Sequence, residues 1–261
     1  IEPGHFRFQC HGETVFHLEI SLGYQHRGIE RALVGGPNVR SLHYMETLAG
    51  DTSCGHAGAY CAVLESLSDT EIPQEADAIR AIAAELERMA NHIGDLGGLA
   101  TDVAFLPTAN YCGRIRGDVL NLSALICGNR FGRNLLIPGG VRFGIDGQRR
   151  DKLLKRLDDI EKDLNSAVPL MLETPSVTAR FDGTGRLSSE TAREIGLVGV
   201  AARACGLVLD VRDQMPYGAY RHNCPPASTY HSGDCFARAY VRWLEIQQSI
   251  VFIRHQLEIS D

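Results

Sequence analysis

Nowhere in these 261 residues do two cysteines form a C-x-x-C pair, although eight cysteines are present, at 10, 54, 61, 112, 127, 205, 224 and 235. Scattered in this way along a chain of this size, they do not make a secreted disulfide framework. They read instead as buried reduced thiols of a cytoplasmic protein. The chain also lacks any window of the roughly 20 uncharged apolar residues that a membrane-spanning helix needs. Its most apolar stretch, GLVGVAARACGLVLDV (196–211), is interrupted by Arg203, so any membrane role has to come through partners. Basic residues are in the minority, 26 Lys and Arg against 32 Asp and Glu, for a net charge of −6. That balance excludes nucleic acid as the main partner, because phosphate binding needs clustered Lys and Arg. Internal repeats, low-complexity tracts and linkers are absent too, which leaves one continuous domain.

What is present is mostly helical pattern. The opening HFRFQCHGETVFHLEISLGY reads as a β-hairpin, with aromatic and β-branched residues in both arms and HGE (11–13) as the connection. HRGIERALV starts a short helix that GGP (35–37) stops. Residues 39–49 and 53–68 are two further helices, separated at Gly50-Asp51. After Pro73, apolar residues at Ile79, Ile82, Leu86, Met89, Ile93 and Leu96 alternate three and four apart, one stripe on a long helix. A second long helix is predicted from about Asn110 to Phe131. Asp146 caps a third, whose stripe is Leu153, Leu154, Leu157, Ile160 and Leu164. Residues 174–187 read as loop, and Ser188 or Ser189 caps a helix through Ile195. The Pro- and Gly-rich stretch 215–235 is too long for a bare connector, and a helix over 235–257 closes the chain. The expected fold is mainly α: a multi-helix bundle (25–261) with a small N-terminal antiparallel β-layer (1–24).

Five motifs occur in order: IEPGHFRF, LGYQHRGIER, ELERMANHIGDLG, IPGGVRFG, and Arg212-Asp213 before PYGAY. Together they resemble the large subunit of group 4, membrane-bound NiFe hydrogenases and its relative, the quinone-site subunit of respiratory complex I. The likeness extends over essentially the whole chain. It implies an oxidoreductase subunit that works only within a membrane-bound, complex I-related assembly. There it would sit beside an iron–sulfur small subunit, peripheral to the cytoplasmic side of the cell membrane. It also implies that the parent protein continues past Asp261.

In such hydrogenases four cysteine thiolates, in two C-x-x-C pairs, hold nickel and iron. Anchored on His56 and AYCAVLE (59–65), the first pair of positions falls on Ala49 and Thr52, neither of them a soft thiolate donor. The resemblance therefore points to the branch without nickel ligands, with no metal or other cofactor in this chain and quinone as a possible ligand. The quinone-contacting tyrosine of the complex I relatives falls on Gly50, with Tyr44 and Tyr60 nearby, whereas HRG (26–28), whose histidine is expected at the quinone head group, is retained.

The candidate site residues are accordingly His26, Arg27, Glu30, Asp51 and His56. Glu30 matches the proton-relaying glutamate of the hydrogenase RGxE pattern, a role for which partial burial would supply the raised pKa. Its structural alternative is an ion pair with Arg27. Asp51 is placed to cap the helix starting near Ser53, or with His56 to face the cavity left by the missing metal. Glu2 and His5 belong to a motif that lines the family's active cavity. His92 and Arg212-Asp213 read as structural anchors, and His222 and His231 as interface candidates. Two other readings stay open: a fragment of an active hydrogenase or NADH:quinone oxidoreductase subunit, and a structural or assembly subunit without turnover.

Overall fold

A computed structural model describes residues 4–259; Glu2 lies outside them. The chain opens with strands β1 (His5–His11) and β2 (Thr14–Ser21), paired antiparallel around the two-residue turn Gly12-Glu13. Phe6 faces Ile20 and Phe8 faces Leu18, so one side of the ribbon is apolar; the register slips between Gln9 and Cys10. All four of these apolar residues are exposed.

Helices α1 (Ile29–Leu33), α2 (Ser41–Glu46) and α3 (Ser53–Ser68) follow. Next come the two long central helices, α4 (Gln74–Asp102) and α5 (Leu106–Cys127). Two short strands, β3 (Leu136–Ile137) and β4 (Gly140–Val141), turn around Pro138-Gly139. Beyond them lie α6 (Gly147–Leu172), α7 (Pro175–Phe181), α8 (Ser189–Glu194), α9 (Gly199–Ala204) and α10 (Val211–Gln214). A 3-10 turn at Gly218–Arg221 and the long α11 (Cys235–Ile259) complete the described chain.

The α4 stripe is the spine of the core. Ile79, Ile82, Leu86, Met89, Ile93 and Leu96 are at most 2% exposed, as the three-four spacing requires. Helix α4 packs between α5 and α11, and α6 closes the bundle against α5 and α11. The expected mainly-α bundle with a small N-terminal β-pair is the observed architecture. Asp146 caps α6 by accepting the Arg149 amide at 2.8 Å, and Ser188 caps α8 by accepting the Thr191 amide at 3.1 Å. Both bonds satisfy an otherwise orphaned amide of the first helical turn.

Three expectations need correction. The segment 174–187 is not all loop: Pro175 opens α7, whose Val177 and Phe181 are buried. The second long helix starts earlier than expected, at Leu106, and stops at Cys127, where Gly128 takes a positive φ of 75°. Cys10 is exposed on the hairpin, unlike the buried Cys54, Cys61, Cys112 and Cys205. No helix among the described residues is long and apolar enough to cross a membrane.

Candidate functional site

Helix α4 carries polar side chains as well as the apolar stripe, and its neighbours decide what they do. Glu85 is fully buried; its Oε1 accepts from Arg212 Nη1 at 3.0 Å and from the Tyr220 hydroxyl at 2.6 Å, and its Oε2 from Ser249 Oγ at 2.5 Å. Arg212 in turn grips Asp210, from Nη2 to Oδ2 at 2.7 Å. About two turns further along α4, His92 Nε2 lies 2.7 Å from Glu245 Oε2, and Arg203 Nε reaches Glu245 Oε1 at 2.6 Å. Burial alone would raise the Glu245 carboxyl, but the His92 hydrogen bond and the Arg203 charge outweigh it and hold it at about 2. Asp210 is likewise held at about 2, burial being overcome by Arg212. His92 and Arg212 are thus the anchors expected of them, although the partner of Arg212 is Asp210 and not Asp213.

The polar turn between α2 and α3, residues 47–52, is held from three sides. Arg27 Nη2 donates to the carbonyls of Thr47 and of Leu48, the latter at 3.1 Å. Asp51 Oδ1 accepts from Arg116 Nη2 of α5 at 2.9 Å, and its carbonyl accepts from Asn91 Nδ2 of α4 at 2.9 Å. At its start, buried Glu46 accepts the Asn134 amide at 2.6 Å, and its carbonyl takes the Ser53 hydroxyl at 2.8 Å. Within α3, His56 Nδ1 sits 2.8 Å from the Thr52 carbonyl and 3.0 Å from its hydroxyl. The carbonyl can only accept, so Nδ1 carries the proton.

Of the five candidate residues, the structure ties Arg27 to the turn that holds Asp51, with His56 just inside α3. The His26 ring and the Glu30 carboxylate are exposed and make no hydrogen bond or ion pair among the described residues. Arg27 turns to the carbonyls of residues 47 and 48 in place of Glu30, because the guanidinium satisfies two acceptors there. Glu30, in the first turn of the five-residue α1, lacks in this chain the burial that a relay requires. Asp51 does not cap α3, since its carboxylate is committed to Arg116. Tyr44 and Tyr60 lie within α2 and α3, outside the turn.

The cap of α3 comes from elsewhere. Glu87, on α4, accepts the Cys54 amide at 2.7 Å (Oε2) and the Gly55 amide at 3.0 Å (Oε1). Burial pushes its carboxyl up to about 7, against the pull of those two amides. Beside it is a cavity of about 10 Å³, room for one water, lined by Asp51, Cys54, Glu87, Asn91, Arg116 and Arg130 among others. From Asp51, Asn91 and Arg116 an open groove of about 360 Å³ continues along α4 and α5 over Gly94, Gly97 and Gly113. Neither Glu87 nor Arg116 stood out in the sequence. The signal was the α4 pair Glu87 and Asn91, four apart and therefore on one face.

The donor set does not fit a nickel–iron centre. Ala49 and Thr52, the positions to which the resemblance assigns thiolates, offer none, and Thr52 is occupied with His56. The Cys54 thiol is pushed far up by burial, then by the Glu87 charge, and burial pushes Cys61 to about 11. Both remain neutral thiols, poor ligands beside a thiolate. Among the described residues, no three His, Cys, Asp or Glu side chains cluster as a metal site.

The family described as "Respiratory-chain NADH dehydrogenase, 49 Kd subunit" matches residues 102–260. The chain is 33% identical over 257 residues to the carbon monoxide-induced hydrogenase of Rhodospirillum rubrum, covering 98% of this chain and 71% of that protein. It is 30% identical over 261 residues to a subunit of the F(420)H(2) dehydrogenase of Methanosarcina mazei, covering 99% and 70%. With a subunit of the NADH-quinone oxidoreductase of Clostridium beijerinckii it shares 32% identity over 251 residues, 96% of this chain and 68% of the relative.

Proposed function

The chain belongs to the family of the respiratory-chain NADH dehydrogenase 49 Kd subunit and its hydrogenase relatives, and from that premise we propose that it is the hydrogenase-like large subunit of a membrane-bound, complex I-related redox complex. It works beside an iron–sulfur subunit on the cytoplasmic side of the membrane, reaching the membrane through its partners. Its task is to couple arriving electrons to proton movement or to quinone, without a nickel–iron centre in this chain.

One observation supports this reading: the turn 47–52, where the resemblance would place thiolates, is tied down from three sides and carries none. Arg27 from the loop before α1, Arg116 from α5 and Asn91 from α4 fix residues 47–52, while Ala49 and Thr52 offer nickel no thiolate. A turn kept in place without its metal ligands still offers charged groups, a water-sized cavity and an open groove, the equipment for moving protons or seating a small polar head group. The deciding experiment is to isolate the complex from membranes through a tag on this chain. The expected product contains an iron–sulfur subunit, reduces a quinone analogue and carries no nickel. One tightly held nickel per chain together with hydrogen uptake would replace this reading with that of an active hydrogenase. An assembly lacking any electron transfer would leave a purely structural subunit.

A further inference from the structure

Resting on the redox reading above, we infer that Glu87, and not Glu30, is the group that takes up and releases the proton linked to electron transfer, exchanging it with solvent through the water-sized cavity and Asp51. Glu87 projects from the central helix α4 onto the first turn of α3, just past residues 47–52, and lines the same cavity as Asp51 of that turn. Its carboxylate is clamped by two backbone amides, which fix its orientation without providing a counter-charge.

The charged and titratable groups around the cavity come from every element packed against it. They are Arg88 beside Glu87 on α4, the neutral Cys54 thiol on α3, Asp51 in the turn, Arg116 on α5 and Arg130 in the loop after α5. Asp51 holds Arg116 at 2.9 Å, so that guanidinium is already matched and does not pin Glu87 in its ionised form. Burial then leaves the carboxyl near 7, where a proton can be both bound and given up at neutral pH. Glu30 has neither the burial nor the cavity.

In the proposed complex an iron–sulfur centre of the partner subunit would supply and pass on one electron. One proton from bulk water passes by way of Asp51 and the cavity water to a Glu87 oxygen, forming an O–H bond. When the electron leaves for its acceptor, that bond breaks and the proton returns by the same water or follows the electron. The carboxylate continues to accept amides of α3 in both states, so the helix does not have to move.

The test uses the intact complex, wild type and with Glu87→Gln or Glu87→Asp. The wild-type rate of electron transfer should inflect near pH 7, and isotope-edited infrared difference spectra should show a protonated glutamic carboxyl that appears on reduction. Glu87→Gln should abolish both signals while the iron–sulfur spectrum persists, and Glu87→Asp should restore the inflection at a shifted pH. An unchanged pH profile in Glu87→Gln, with normal wild-type turnover, overturns the inference and leaves the functional reading standing. Should Glu87→Gln fail to assemble, the wild-type infrared titration decides: no glutamic carboxyl titrating near pH 7 overturns the inference. A wild-type complex without electron transfer overturns the functional reading, and this inference with it.

Discussion

Arg212, 1% exposed, donates from Nη1 to Glu85 Oε1 at 3.0 Å and so joins α10 to the central helix across 127 positions of sequence. Asp210 holds the other edge of the same guanidinium. Glu85 also meets Arg88 at 3.3 Å, so each end of the pair keeps a second partner. Arg212→Met, which leaves Asp210 buried without its counter-charge, should lose roughly 3–5 kcal/mol in urea denaturation. Glu85→Met should lose less, because Arg212 keeps Asp210. The double replacement should cost less than the sum, since the Arg212–Glu85 contact is counted in both single losses.

Acid should weaken the same region. Glu245 and Asp210 are held near 2 in the folded chain, against roughly 4 for carboxyls in an unfolded chain. Their folded values are depressed, so the unfolded state binds more protons as pH falls. The stability they contribute is complete above about pH 4 and disappears as pH falls toward 2. Denaturation curves at successive pH values should show this loss, and Glu245→Gln should flatten part of it while starting from a lower plateau, because Arg203 has lost its counter-charge.

Glu87 predicts the opposite slope. With a folded value raised to about 7, the folded chain binds more protons than the unfolded one between roughly pH 4 and 7. Its contribution should therefore decline as pH rises through that window and stay flat above it, by on the order of 3 kcal/mol in total. Thermal melts of wild type and Glu87→Gln at pH 5 and pH 8 separate the two cases. The wild type should lose more stability than the variant between those conditions.

Gly132 takes a positive φ of 68°, and a Cβ built there would fall 2.3 Å from Cys54 Sγ. Gly132→Ala should destabilise by about 1–2 kcal/mol for the left-handed backbone, with a further 1–3 kcal/mol for overpacking. Adding Cys54→Ala should recover the packing part and leave the backbone part. Equal stability of the single and double variants would show that the loop simply moves aside.

How much of this was legible in the sequence depends on the range of the interaction. The α4 stripe, the Asp146 cap and a serine cap at 188 or 189 were readable because each is set by residues within a turn or two of one another, and the structure selects Ser188. The hairpin was readable for the same reason. Asp51 looked like a helix cap from its neighbours, and only the packing of α5 against α4, which delivers Arg116, shows its true partner. Glu85 and Glu87 are the sharper case. Two positions apart on one helix they look like ordinary solvated acids, yet one enters the core to meet Arg212 and the other caps a different helix. Long-range pairing of that kind leaves no local signature. Residues 174–187 misled through Thr174-Pro175, which reads as a turn but is also a good helix start.

The hairpin leaves one last consequence. Phe6, Phe8, Leu18 and Ile20 form a greasy ribbon open to water, and two strands with a wet apolar side are prone to stick to one another. Overproduced alone, the protein should therefore clump at modest concentration, and Phe8→Thr with Leu18→Thr should keep it dispersed in light-scattering measurements without altering the melting of the helices.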